Sequence, residues 1–275
     1  CGCSVSRHGQ KVFQVHSPND LPAERASPKD HNDHEVRRRE TRGHLRLDWL
    51  DARFSFSFGS YRNPARNSFG VLQALNEDVI QPGRGFQLHP HENLEIFILP
   101  LQGAVEHRDN LGNHAIVRPG SLQKMRAGCG IWHSQMNPSR QQVDHHLQIW
   151  LRPRRIGLAP GIEQCEFERE GRLNKWQMLI SENGSSGSLS VDQNATVLRA
   201  ELERGCGLPF QPQTGRSMYL HVIHGLVQVT KNEDSEELEA GDAYVMPVAK
   251  DVSVLAPKGN ADVLLFDLPP LSTLP

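Results

Sequence analysis

The sequence predicts an all-β protein built from two copies of one barrel. Three observations lead there. Short runs of β-branched, aromatic and aliphatic residues recur through the chain, each closed by Gly, Pro, Asn or Asp. The order strand, Gly turn, strand, Pro/Gly turn, strand appears in two separate blocks. No long amphipathic helical pattern stands out beside them. A chain of 275 residues is long enough to bury two such cores.

The elements follow in chain order. Residues 1 to about 40 are polar and lack apolar periodicity, so a poorly packed or disordered lead-in is expected there. Arg37-Arg38-Arg39 lies within it, flanked by Glu35 and Glu40, and reads as a solvated run. The first block spans 41–151. In it Arg53-Phe54-Ser55-Phe56-Ser57-Phe58 alternates polar and aromatic residues, the period of a half-buried strand. Leu94–Leu99, Ala104–His107, Ala115–Val117 and His146–Leu151 read as further strands, with a hairpin turn at Asp109-Asn110-Leu111-Gly112-Asn113. Residues 152–175 carry Pro153, Pro160 and Gly161 and read as a linker or crossover. The second block, 176–275, repeats the pattern from Leu189–Val191 to Val263–Phe266.

Composition excludes several function classes. The formal net charge is -2 and the pI about 6.7, so no strongly basic face for direct nucleic-acid contact is expected. The longest apolar run, Ile96-Phe97-Ile98-Leu99, stops at Pro100, far short of the roughly 20 residues a bilayer needs. Five irregularly spaced cysteines fit free thiols in a reducing cytoplasm. The sequence opens on Cys1, as a mature bacterial lipoprotein does, a weaker alternative that a preceding signal sequence would be needed to support.

The chemistry concentrates between Gly83 and Asn137. His89 and His91 are two apart, so on a strand both point to one face. On a regular continuation Asn93 and Glu95 would share that face. His133 follows Gly128 and Gly130, glycines that permit a sharp approach to a strand. Three imidazoles on a rigid scaffold suit iron, zinc, copper or nickel. Lone His-x-His pairs are often structural, but the full set is more specific. Gly83, His89, His91, Glu95 and Gly103, then Gly130, His133 and Asn137, match the two cupin motifs. His107 reads as a surface or supporting histidine. His145 and His146 point to opposite faces, so at most one looks inward. Trp132 and Met125 read as core. His221 and His224 fall on opposite faces of one strand, and no His-x-His stands near Leu208-Pro209-Phe210. The second barrel is therefore expected to be metal-free.

The wider sequence resembles the pirin-like family of bicupin proteins. The resemblance rests on Thr41-Arg42-Gly43-His44, Leu75-Asn76-Glu77-Asp78-Val79-Ile80, Gly103-Ala104-Val105-Glu106-His107-Arg108-Asp109, Gly130-Ile131-Trp132-His133-Ser134 and Gln148-Ile149-Trp150, in that order. It covers residues 41 to 270 and is looser in the second half. It implies two stacked cupin barrels with one divalent metal in the first, Fe(II) foremost, with Zn, Cu, Ni or Mn as alternatives. His89, His91 and His133 carry over as its ligands. The family's fourth ligand is a glutamate two residues after the third histidine, and here that position is Gln135, a weaker neutral ligand that cannot act as a base. Glu95, at the glutamate position of the general cupin motif, is the alternative carboxylate. The implied activity is a quercetin 2,3-dioxygenase type of oxidation, with a flavonol or enediol-like small molecule and dioxygen as substrates. The alternative is a regulatory cupin, like the family's transcription cofactors, that binds a protein partner and has lost turnover through Gln135.

Overall fold

A computed structural model describes residues 33–271. They form a bicupin: four sheets, two to a barrel. The first barrel has a seven-stranded sheet, ordered Gly161–Glu166, Ser121–Arg126, Glu95–Gln102, Asp144–Leu151, Leu72–Ile80, Leu50–Phe54 and Gly43–Arg46. Its four-stranded sheet runs Gly85–His91, Ile131–Met136, Val105–Asp109 and His114–Val117. The second barrel has a seven-stranded sheet ordered Glu35–Arg37, Ala243–Met246, Ser217–His224, Ala261–Leu268, Thr196–Leu202, Gln177–Ser181 and Leu189–Ser190. Its smaller sheet holds Gly207–Phe210, Val252–Leu255, Leu226–Lys231 and Asp234–Glu239. Among the described residues no helix is long and apolar enough to cross a membrane.

The apolar run from Ile96 to Leu99 has a structural cause. Ile96 and Ile98 face into the first barrel, where they pack with Ala74, Met125, Ile131 and Trp150. Phe97 and Leu99 face the other way and meet Tyr219, Leu264 and Phe266 of the second barrel. A strand buried on both faces cannot alternate with polar residues. The same split recurs at Ala261–Leu268, where Val263 and Leu265 fill the second barrel and Leu264 and Phe266 enter the shared core. Each large side chain so buried contributes about 1.5–3 kcal/mol, which makes the face between the two large sheets a principal source of stability.

Four expectations need correction. The lead-in ends earlier than residue 40. Residues 1–32 lie outside the described residues, whereas Glu35–Arg37 pairs with Ala243–Met246 as an edge strand of the second barrel. Asp33 reaches Lys231 and Lys250 there, and His34 stacks on Tyr244 at 4.7 Å. Arg37 is buried, with its guanidinium 5.8–6.0 Å from the rings of Phe56, Phe69 and Tyr219, and Arg38 pairs with Asp242 at 2.9 Å. Arg37 and Arg38 thus tie this segment to the folded body, while Arg39 of the same run is exposed. The 152–175 stretch is not all connector, because Gly161–Glu166 pairs with Ser121–Arg126 in the first barrel's large sheet. The alternation from Arg53 to Phe58 is not one strand. The strand ends at Phe54, which packs inside the barrel, while Phe56 turns into the core between barrels.

Candidate metal centre

The candidate site lies inside the first barrel, on the inner face of the four-stranded sheet. The Gly85–His91 strand supplies His89 and His91, and the neighbouring Ile131–Met136 strand supplies His133, paired directly with His89. Gly85 has a φ of +155°, and a Cβ there would run into the Gln135 carbonyl, so glycine is what lets the two strands close together. Gly128 has a φ of +51° and passes the Leu158 carbonyl in the same way, turning the chain into the strand that carries His133. Asn137 ends that strand, donating from its side chain to the carbonyls of Ile80 and Gln142 at 3.0 and 2.8 Å.

His89, His91 and His133 each offer a ring nitrogen within 4.8 Å of the others. Their ring centroids stand 4.5–5.0 Å apart. His91 and His133 are buried, and His89 is half-buried. Burial holds all three rings neutral. His91 falls to about 3, chiefly by burial and secondarily by the neighbouring His89. His133 is lowered well below its ordinary value by burial and then by the surrounding histidines, and His89 is lowered by burial. Neutral imidazole is the ligating form.

Hydrogen bonds settle which nitrogen of His89 and of His133 faces the cluster. His89 Nδ1 lies 2.6 Å from the Gln87 carbonyl, an obligate acceptor, so Nδ1 carries the proton and Nε2 keeps its lone pair. His107 Nε2 lies 3.1 Å from Asp109 Oδ2 and gives its proton there. Neutral His107 then has a bare Nδ1, 3.4 Å from His133 Nδ1, which must be the donor. His133 Nε2 is left as a lone pair. It is buried without a partner, which costs about 1–3 kcal/mol unless something binds it. An orphaned lone pair among three neutral imidazoles fits a divalent cation.

The two candidate fourth ligands behave differently. Gln135 points into the barrel beside His133 and is 2% exposed. Its Oε1 accepts from Gln148 Nε2 at 3.2 Å, and Gln148 Oε1 in turn accepts from Trp150 Nε1 at 2.7 Å. Glu95 is not near the histidines. Asn93 takes a left-handed φ of 51° between the two strands, which resets the alternation. Glu95 therefore shares the face of Phe97 and Leu99. It is fully buried between the barrels and accepts the Asp192 backbone N–H at 2.7 Å. Glu95 as the alternative carboxylate is corrected on this ground.

The remaining candidate residues take distinct places. His107 is fully buried against His133, and Trp132 is 46% exposed on the outer face. His146 faces inward between Asp144 and Asp78, and His145 faces outward to Glu77 at 3.0 Å. Met125 is core. Sequence reasoning misses the supporting roles of Asp109, Gln148 and Trp150, although each lies two residues from a partner on the same strand face, and that spacing is the signal that could have found them. In the second barrel the interior is filled by apolar side chains such as Leu220, Val229, Val254 and Leu265.

A three-histidine pocket in the first of two stacked barrels defines a bicupin with a single candidate metal centre among the described residues. The family model described as Pirin matches residues 35–151, and that of the Quercetinase C-terminal cupin domain matches 178–268. The chain is 36% identical over 239 residues to a protein of Escherichia coli K12 named quercetin 2,3-dioxygenase, covering 86% of this chain and 99% of that one. It is 32% identical to a putative quercetin 2,3-dioxygenase of Pasteurella multocida, over 82% and 95% of the two chains. The crystal structure of YhhW from E. coli superposes with a TM-score of 0.80 at 35% identity, covering 86% of this chain and 98% of YhhW. YhhW in complex with nickel(II) also gives 0.80, at 34% identity, over 86% and 99% of the chains. The chain belongs to the pirin family.

Proposed function

We propose that the protein is a metal-dependent oxidoreductase of the quercetin 2,3-dioxygenase type, acting on a flavonol or enediol-like small molecule with dioxygen. One observation carries the reading: three neutral histidine nitrogens within 4.8 Å of one another, one of them buried and unpartnered. The names of the relatives and the nickel(II) complex of YhhW support it. His89, His91 and His133 would hold one divalent ion, with Fe(II) as the resident metal. When bound, such an ion supplies Lewis acidity toward a vicinal oxygen pair and a route for electrons to dioxygen.

The chain's own residues set the conditions. Asp109 and His107 hold His133 in one tautomer, and the Gln87 carbonyl does the same for His89. Trp150 stands edge-on to His91, with ring centroids 5.0 Å apart, and Phe86 stands edge-on to His89, so the rings are flanked by apolar surface. Such an apolar lining would suit a planar aromatic substrate. The half-buried His89 would mark the entrance.

The test is aerobic turnover of quercetin by protein of measured metal content. Loss of flavonol absorbance with matching dioxygen consumption is expected, and His133→Ala should abolish both. Fully metal-loaded protein that consumes no dioxygen with quercetin would overturn the proposal.

A further inference from the structure

We infer that Gln135, held in one orientation by Gln148 and Trp150, is a specificity-determining residue that makes the three-histidine site select an anionic oxygen ligand. The inference rests on the metal reading of the site proposed above.

The orientation follows from the one group in the chain that cannot reverse its role. An indole N–H is a donor only. Trp150 Nε1 points at Gln148, so the atom facing it at 2.7 Å must be the Gln148 carbonyl oxygen. The Gln148 amide nitrogen then faces the other way and donates to Gln135 Oε1 at 3.2 Å. The Gln135 oxygen is thereby occupied, and its amide nitrogen forms no hydrogen bond with the described residues. All three side chains are 7% exposed or less, so water has little part in the arrangement. Reversing either amide would set N–H against N–H in a buried place, at a cost of about 1–3 kcal/mol.

Two consequences meet at the site. First, the position two residues beyond His133, on the same inner face, offers an N–H donor in place of an oxygen ligand. Second, the cluster holds three neutral rings and no carboxylate, so a divalent ion there keeps both of its charges. An oxygen anion from outside satisfies both demands, compensating the charge and accepting the Gln135 N–H. A neutral oxygen donor of the same shape accepts the N–H and leaves the charge uncompensated. The ligand class is thus an enolate, phenolate or carboxylate oxygen.

The test uses the full chain loaded with Co(II) and titrated with acetate or with acetamide, its neutral counterpart, following the cobalt absorption spectrum. Acetate should bind at least about tenfold more tightly than acetamide. Gln135→Glu should take up cobalt at least as well and lose about tenfold or more in acetate affinity, because its own carboxylate supplies the charge. Trp150→Phe keeps an aromatic ring beside His91 but removes the indole donor, so both amides can turn over. It should lower acetate affinity severalfold with cobalt content unchanged. Loaded protein that binds acetate and acetamide alike, or Gln135→Glu with wild-type acetate affinity, would overturn the inference alone. A wild-type chain that takes up no cobalt would overturn it together with the metal reading.

Discussion

His133 Nδ1 lies 3.4 Å from His107 Nδ1, and both residues are almost fully buried. Only one of the two nitrogens can carry the proton. Asp109, at 3.1 Å from the far side of His107, decides which. Replacing His107 by Phe keeps the ring volume but leaves the His133 Nδ1–H without an acceptor. Either tautomer of His133 then becomes comparable in energy, and divalent metal affinity should fall about 10–100-fold. His107→Gln restores an acceptor oxygen and should recover part of the loss. Calorimetric titration with Ni(II) measures both, and equal wild-type affinity in the two variants would show that the relay is not used.

Gln135→Glu should raise metal occupancy. Gln148 Nε2 already points at the Gln135 oxygen, so a carboxylate oxygen in that place keeps the same hydrogen bond. A negative charge beside a divalent ion in a partly dry cavity is strongly attractive, and a gain in affinity of about tenfold or more is expected. Elemental analysis of protein purified without chelator or nickel resin gives the readout. Unchanged metal content in a folded Gln135→Glu protein would contradict it.

Glu95→Ala should leave metal content unchanged and weaken the contact between barrels. Glu95 accepts the Asp192 N–H at 2.7 Å and faces away from the histidines. Its removal leaves a buried donor unpaired and a small cavity, at a cost of about 1–3 kcal/mol. Urea unfolding together with metal analysis separates the two effects. Loss of metal without loss of stability would restore Glu95 as a ligand.

The residues explain what sequence could and could not reveal. His89 and His91 share a strand with period two, so their common face is legible from spacing alone. His133 is legible because glycines frame its strand. Glu95 is misread because parity counts only within one strand, and Asn93, in a left-handed conformation, breaks the count. Whether His107 lies on the surface or behind His133 is not legible, because its burial depends on the pairing of Val105–Asp109 with Ile131–Met136, a long-range fact. The packed segment at Glu35–Arg37 is missed for the same reason: one valine between two charged residues becomes a strand only because an edge more than 200 residues away accepts it. Arg37 looks solvated in sequence, yet three aromatic rings from both barrels surround its guanidinium.

His221 should make the fold acid-sensitive. It lies on the face of Ser217–His224 that carries Tyr219, turned toward the first barrel, and its Nδ1 is buried without a partner. Burial, reinforced by Arg42, lowers it to about 3, and the opposing charges of Glu77 and Asp242 do not offset that. The folded state therefore binds a proton far more weakly than the unfolded chain, where the imidazole titrates near 6.5. Stability from this group is fully present above pH 6.5 and is lost as pH falls from 6.5 toward 3. At pH 5 the loss is about 2 kcal/mol. Asp78 acts in the opposite sense. It is raised to about 6, chiefly by burial, so its contribution falls as pH rises between roughly 4 and 6. The slope of the wild-type protein alone is thus a composite, and the informative quantity is a difference. His221→Leu removes the titrating ring while keeping an apolar group at that position. Between pH 7 and pH 5 it should lose about 2 kcal/mol less stability than wild type. Denaturant unfolding at the two pH values measures both. Parallel pH profiles for the two proteins would show that His221 already carries its proton in the folded state.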